Sequence, residues 1–199
     1  MKRKFIIAIC LTLAGLFSYA QQGVEARIGE IRKAYAARID QMNNQPYDDF
    51  KIEELTITYN RNFPGTGPYS HTDTFYWIDD ENEDFMLKPQ LYFATSRYTM
   101  CAGIYRHYRE YLFDIDTGEP MFLLISAQLG DDSQTKKEYR FYFDNGKLIK
   151  QIPERIVFDE NDLLTPDFGI DATGKAVDLI SSFNSMRNTF HSIVPTYAW

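Results

Sequence analysis

The pattern of apolar and polar positions divides this chain into stretches of different period. Phe5 to Phe17 is an almost unbroken apolar run of 13 residues, preceded by Lys2, Arg3 and Lys4 and followed by Ser18-Tyr19-Ala20. A basic start, a short apolar run and small residues at a cleavage site predict a secretory signal peptide over residues 1–20, with Gln21 as the new N-terminus. The run is shorter than the roughly 20 residues a membrane-spanning helix needs, and no later run reaches that length, so no membrane span is expected. The period then becomes helical. Val24, Ile28, Ile31, Tyr35, Ile39 and Met42 form one apolar stripe at spacings of three and four, which predicts a helix from Gly23 to Met42. Glu25, Arg27, Glu30, Arg32, Lys33 and Arg38 fall largely off the stripe, and Asn43-Asn44-Gln45-Pro46 ends it.

Beyond that the period shortens to two. Leu55 to Tyr59 alternates as a strand with one buried face, and His71 to Ile78 and Gln90 to Arg97 read as further strands. Between them, Asn60 to Tyr69 carries Pro64-Gly65, Gly67 and Pro68 and reads as a loop, and Asp79 to Asp84 reads as an acidic turn. Ile104 to Asp114 is joined through Asp116-Thr117-Gly118-Glu119 to Met121 to Ile125, which is apolar on both faces and therefore belongs in the middle of a sheet. Glu138 to Phe143 turns through Asp144-Asn145-Gly146-Lys147 into Leu148 to Ile152, because Asn-Gly accepts the positive φ of a tight hairpin.

Glu154 to Asp171 reads as an irregular connection. A last helix is predicted from about Ala172 to Val194, with Ala172, Ala176, Leu179, Ile180, Phe183, Met186, Phe190 and Ile193 on its apolar face and Pro195 as its stop. Runs of strands set apart from helices indicate an α+β fold rather than parallel α/β. The expectation is one domain over residues 21–199, with its N-terminal and C-terminal helices on one face of a curved antiparallel sheet, in a cystatin-like or NTF2-like layout.

Charge narrows the partners. Losing Lys2, Arg3 and Lys4 leaves 18 of the 21 basic residues against 28 acidic ones, a net charge of −10. Phosphate binding needs clustered Lys and Arg, so neither nucleic acid nor an anionic membrane surface is an expected partner. Cleavage would also remove Cys10, leaving Cys101 alone, so no disulfide framework is expected and the domain folds on core packing.

Candidate chemistry is sparse. Cys101 and His107 are close in sequence, yet a catalytic thiol needs a base brought to it by the fold. There is no Gly-x-Ser-x-Gly elbow, no Gly-rich phosphate loop and no His pair at metal-ligand spacing. Neither a metal nor a cofactor is expected. His71 and Asp73 share one face of a regular strand, which makes them, with His107, the place for a fold-assembled hydrolase site. Asp79 to Asp84 lacks the glycine a calcium loop turns on, and Asp114 to Glu119 is better explained as a hairpin turn.

The one compositional excess is aromatic: 16% of the chain is Phe, Trp or Tyr, including 14 Tyr. Alternation along Ile104 to Phe113 puts Tyr105, His107, Arg109, Tyr111 and Phe113 on one face. Tyr offers large, stiff contact area with a polar tip. Tyr105, His107, Arg109 and Tyr111 are therefore the candidate ligand-binding residues, and no catalytic residue is assigned.

Two segments resemble a known group. They are Tyr108-Arg109-Glu110-Tyr111-Leu112-Phe113-Asp114 with Gly118-Glu119-Pro120-Met121-Phe122, and Tyr139-Arg140-Phe141-Tyr142-Phe143-Asp144-Asn145-Gly146-Lys147-Leu148-Ile149. They are similar to small exported proteins of Bacteroidetes without an assigned function. The resemblance implies an exported α+β domain of a Gram-negative envelope, periplasmic or extracellular, and transfers no active site. The functional expectation is a non-enzymatic domain that binds a protein, peptide or glycan through its aromatic sheet face or adjoining loops; the alternative is a small envelope hydrolase around His71, Asp73 and His107.

Overall fold

A computed structural model describes residues 2–43 (2–21 through their backbone), 52–65, 67–81, 86–100, 103–130, 136–153, 177–194 and 197–198. Helix α1 (Lys2–Asn43) leads into seven consecutive strands: β1 (Glu53–Phe63), β2 (Gly67–Glu81), β3 (Met86–Met100), β4 (Tyr105–Phe113), β5 (Pro120–Leu129), β6 (Lys137–Asp144) and β7 (Lys147–Ile152). Helix α2 (Val177–Ile193) and a two-residue strand, β8 (Tyr197–Ala198), follow. The strands pair in sequence order as an open meander, all antiparallel, and β8 pairs with the start of β3. The protein is thus α+β. Among the described residues no helix is long and apolar enough to cross a membrane.

Side chains alternate along the strands, which decides what covers each face; the register shift between β2 and β3 interrupts this once, so that Tyr92 and Phe93 both pack on the α1 side. Leu112 packs with α1 while Phe113 packs with α2; Phe122 and Tyr142 face α1 while Leu123, Phe141 and Phe143 face α2. On the first side the expected stripe of α1 comes down on the sheet. Ile28 and Ile31 are fully buried against Tyr92, Phe93 and Phe122, with Val24, Tyr35, Ile39 and Met42 packed beside them. On the second side Leu179, Phe183, Met186 and Phe190 of α2 bury against Phe75, Phe113, Leu123, Phe141 and Phe143. Burying a side chain of this size contributes about 1.5–3 kcal/mol each.

The two helices therefore lie on opposite faces, not on one. The reason is in β5, whose burial extends to both sides of the strand. A central strand apolar on both faces needs a layer on each, and a one-face arrangement would leave Leu123 and Ile125 in water.

The segment from Asn60 to Tyr69 is not a loop. Strand pairing runs to Phe63 opposite Gly67, and only the tip around Pro64-Gly65 turns. Gly65 and Gly67 take positive φ angles of 87° and 80°, which glycine adopts without a Cβ clash. Pro68 lies at the beginning of β2, where its missing N–H is tolerated. The predicted acidic turn is likewise shorter, since β2 continues through Glu81 and residues 82–84 lie outside the described residues. The hairpins at Asp114 and Asn145 form as expected. Gly118 N–H donates to the Asp114 carbonyl at 2.8 Å, Thr117 N–H donates to Asp114 Oδ1 at 3.0 Å, and Asn145 and Gly146 carry φ of 48° and 69°. The expected connection over 154–171, residues 172–176 of the last helix, Pro195 and Cys101 lie outside the described residues.

Candidate functional site

The α2 face changes character along the strands. Over Phe75, Tyr111 and Phe113 it is packed by the helix. One row further, strand register lines up Asp73, Ser96 and Arg109; the next row is His71, Tyr98 and His107. Every second residue of β2, β3 and β4 thus brings a polar or aromatic group to the same patch.

Rings join the patch across four strands. Tyr98 stacks flush on His107, with centroids 4.4 Å apart and planes within 7°. His71 meets Tyr98 at 6.0 Å, Tyr59 of β1 at 5.8 Å and Tyr69 at 6.2 Å, and Phe63 meets Tyr69 at 6.0 Å. At the outer end of this run the rings open to solvent: Tyr59 is 41% and Phe63 44% exposed. Met100, Ile104 and Leu129, at the same end of β3, β4 and β5, are exposed as well. Together these five are the exposed large apolar residues among the described residues, apart from Ile193 on α2.

Polar bonds knit the rings together. His71 Nε2 lies 2.9 Å from Asp73 Oδ1 and 2.9 Å from Ser96 Oγ, and Nδ1 lies 3.1 Å from the Tyr69 hydroxyl. With its proton on Nε2, the imidazole donates to Asp73 and accepts from Tyr69. Burial raises the Tyr69 hydroxyl above its ordinary range, and the Asp73 charge adds to the rise. Tyr111 and Ser182 of α2 bond hydroxyl to hydroxyl at 2.8 Å, and Arg109 Nη1 approaches Ser182 at 3.5 Å.

Two groups here are buried without a hydrogen-bond partner among the described residues: His107 Nδ1 and Arg109 Nε. Each such atom costs on the order of 1–3 kcal/mol of desolvation. Burial, helped by the Arg109 charge, holds His107 down to about 4, so the ring is neutral at physiological pH. Burial likewise pushes the Tyr98 hydroxyl up, with Arg109 drawing it partly back.

The structure gathers both groups of residues singled out in the sequence, His71 with Asp73 and His107 with Arg109, and Tyr98 connects them. It also separates their roles. His107 and Tyr111 are only 4% and 2% exposed, and Tyr111 is core, its ring edge-on to Phe183 at 5.2 Å. Tyr105 is half-buried at the rim, in register with Met100 and Leu129. Tyr59, Phe63, Tyr69, Ser96 and Tyr98 escaped sequence reasoning. Pro and Gly had marked Phe63 and Tyr69 as loop, whereas the alternation of Tyr59, Arg61 and Phe63 was the available signal that the strand continues. Among the described residues no group of three or more His, Cys, Asp or Glu is placed to hold a metal ion.

No family model matches this chain, and no match is found among curated proteins or solved structures.

Proposed function

We propose that this chain is an exported, non-enzymatic binding domain of a Gram-negative envelope, which recognises a protein, peptide or glycan through the polar–aromatic end of its α2 face and the adjoining turns. The observation that carries the reading is the continuous run of rings from His107 through Tyr98, His71 and Tyr69 to the exposed Phe63 and Tyr59. The buried end anchors the run, and the exposed end offers rigid apolar area with His71 and Asp73 beside it for orientation. The leader-like N-terminus and the likeness to exported Bacteroidetes proteins support the compartment.

The hydrolase alternative gathers a Ser, a His and an Asp, but their geometry is not that of a relay. Asp73 and Ser96 approach the same nitrogen of His71. A general base must be oriented through one ring nitrogen and receive the nucleophile's proton on the other. Here the second nitrogen faces Tyr69.

The test is binding of the purified protein to envelope material fractionated into protein, peptide and polysaccharide. One fraction should bind, and Tyr59→Ala with Phe63→Ala should remove that binding while leaving the fold intact. Binding that survives the double substitution contradicts the reading.

A further inference from the structure

The opposite face carries a second candidate site with different chemistry. Between α1 and the β5–β6 ladder lies a cavity of about 310 Å3. That volume is at the small end of ligand pockets, which span about 300–1,000 Å3. Two cross-strand pairs lie along it, Phe122 opposite Tyr142 and Leu124 opposite Arg140. From α1, Ile31 and Tyr35 complete the apolar wall, with the Tyr35 ring edge-on to Phe122 at 5.0 Å.

The charged lining is cationic. Arg32 and Arg140 line the cavity, and among the described residues no acidic one does. The nearby buried carboxylate, Glu110, is already engaged by the Tyr35 hydroxyl, with Tyr108 as a further hydrogen-bond partner. Arg32 donates its Nε to the Tyr142 hydroxyl at 3.4 Å and lies 5.5 Å over that ring. Arg140 donates Nη2 to Glu138 at 2.7 Å, and Lys136 also pairs with Glu138, at 2.9 Å. A guanidinium has five N–H donors, so each of these arginines keeps donors for a ligand.

We propose that this cavity binds a small amphipathic carboxylate, its apolar body against Ile31, Phe122 and Leu124 and its carboxylate on the Arg32 and Arg140 guanidiniums. Planar, forked donors match a carboxylate in two parallel bonds, which a neutral alcohol of the same length cannot reproduce. A ligand of this class would lie against the mature part of α1, far from the aromatic patch on the other face.

The test titrates the purified protein with the fluorescent anion 8-anilinonaphthalene-1-sulfonate and competes it with octanoate or 1-octanol. Octanoate should displace the dye at about tenfold lower concentration than 1-octanol, and Arg32→Gln with Arg140→Gln should erase that difference. Arg140→Lys, which keeps the charge and loses the fork, should give an intermediate loss. Leu124→Trp, which fills the cavity, should abolish octanoate competition while Tyr59→Ala leaves it unchanged. Equal potency of acid and alcohol, or octanoate binding that survives both the arginine pair and Leu124→Trp, overturns the proposal.

Discussion

At one end of the α2 face, Phe113 and Phe143 meet the Phe183 ring near edge-on at 5.2 and 5.4 Å, and Trp77 and Phe75 close on Phe190 at 5.5 and 6.0 Å. At the other end, β1, β2 and β3 present Tyr59, Tyr69, His71 and Tyr98 at similar spacings. Ring density is alike; partners are not. The first end has a helix over it, and its rings pack against the apolar stripe of that helix. The second has Asp73, His71 and Arg109 threaded between the rings, and its outermost rings reach solvent. Aromatic content therefore does not distinguish core from surface in this chain. What distinguishes them is whether a helix stripe is available to dry the rings.

The comparison can be broken by substitutions that should cost very different amounts. The largest effect is expected from Phe183→Ala, which empties the centre of the helix-covered end; urea unfolding should show a loss of about 3–5 kcal/mol. Next comes pH. His107 is held near 4 when folded against an ordinary value of 6.5, so the unfolded chain binds the extra proton more readily. Its contribution is whole above pH 6.5 and is lost as pH falls toward 4, by at most about 3 kcal/mol. Replacing His107 with Gln should flatten that part of the stability–pH curve; an unchanged slope would mean the ring is not desolvated. Tyr111→Phe removes the hydroxyl that bonds Ser182 and Arg109 while keeping the ring, and should cost about 1–2 kcal/mol by the same unfolding assay. Tyr59→Ala and Phe63→Ala, at the exposed end, should each stay within about 0.5 kcal/mol of the parent. A multi-kcal/mol loss there would make the exposed end core as well.

Much of the architecture was legible because periodicity reports burial directly. The Val24–Ile28–Ile31–Tyr35 stripe and the Leu179–Phe183–Met186–Phe190 stripe are the two helix faces that pack. The double-sided apolar character of Met121 to Ile125 was visible too, and followed through it demands helices on both sides. Propensity misled at Asn60 to Tyr69, where two Gly and two Pro suggested a loop. In a long hairpin the accumulated pairing of β1 with β2 outweighs those local preferences, and the breakers are pushed to the tip and the strand start. The site was half legible. Alternation placed His71 with Asp73 and His107 with Arg109, but no sequence spacing could show that β3 lies between them and that Tyr98 fills the gap. Nor could it show that Tyr111 belongs to α2, since that depends on Ser182 and Phe183, some 70 residues away.

The most direct test of the account is aromatic 13C NMR of the protein titrated with whichever envelope fraction it binds. Shifts confined to Tyr59, Phe63, Tyr69, His71 and Tyr98, with Phe113, Phe143 and Phe183 unmoved, are the predicted result. Shifts concentrated in the helix-covered rings, with the exposed end silent, would contradict the division of this face into a dry core and a recognition surface.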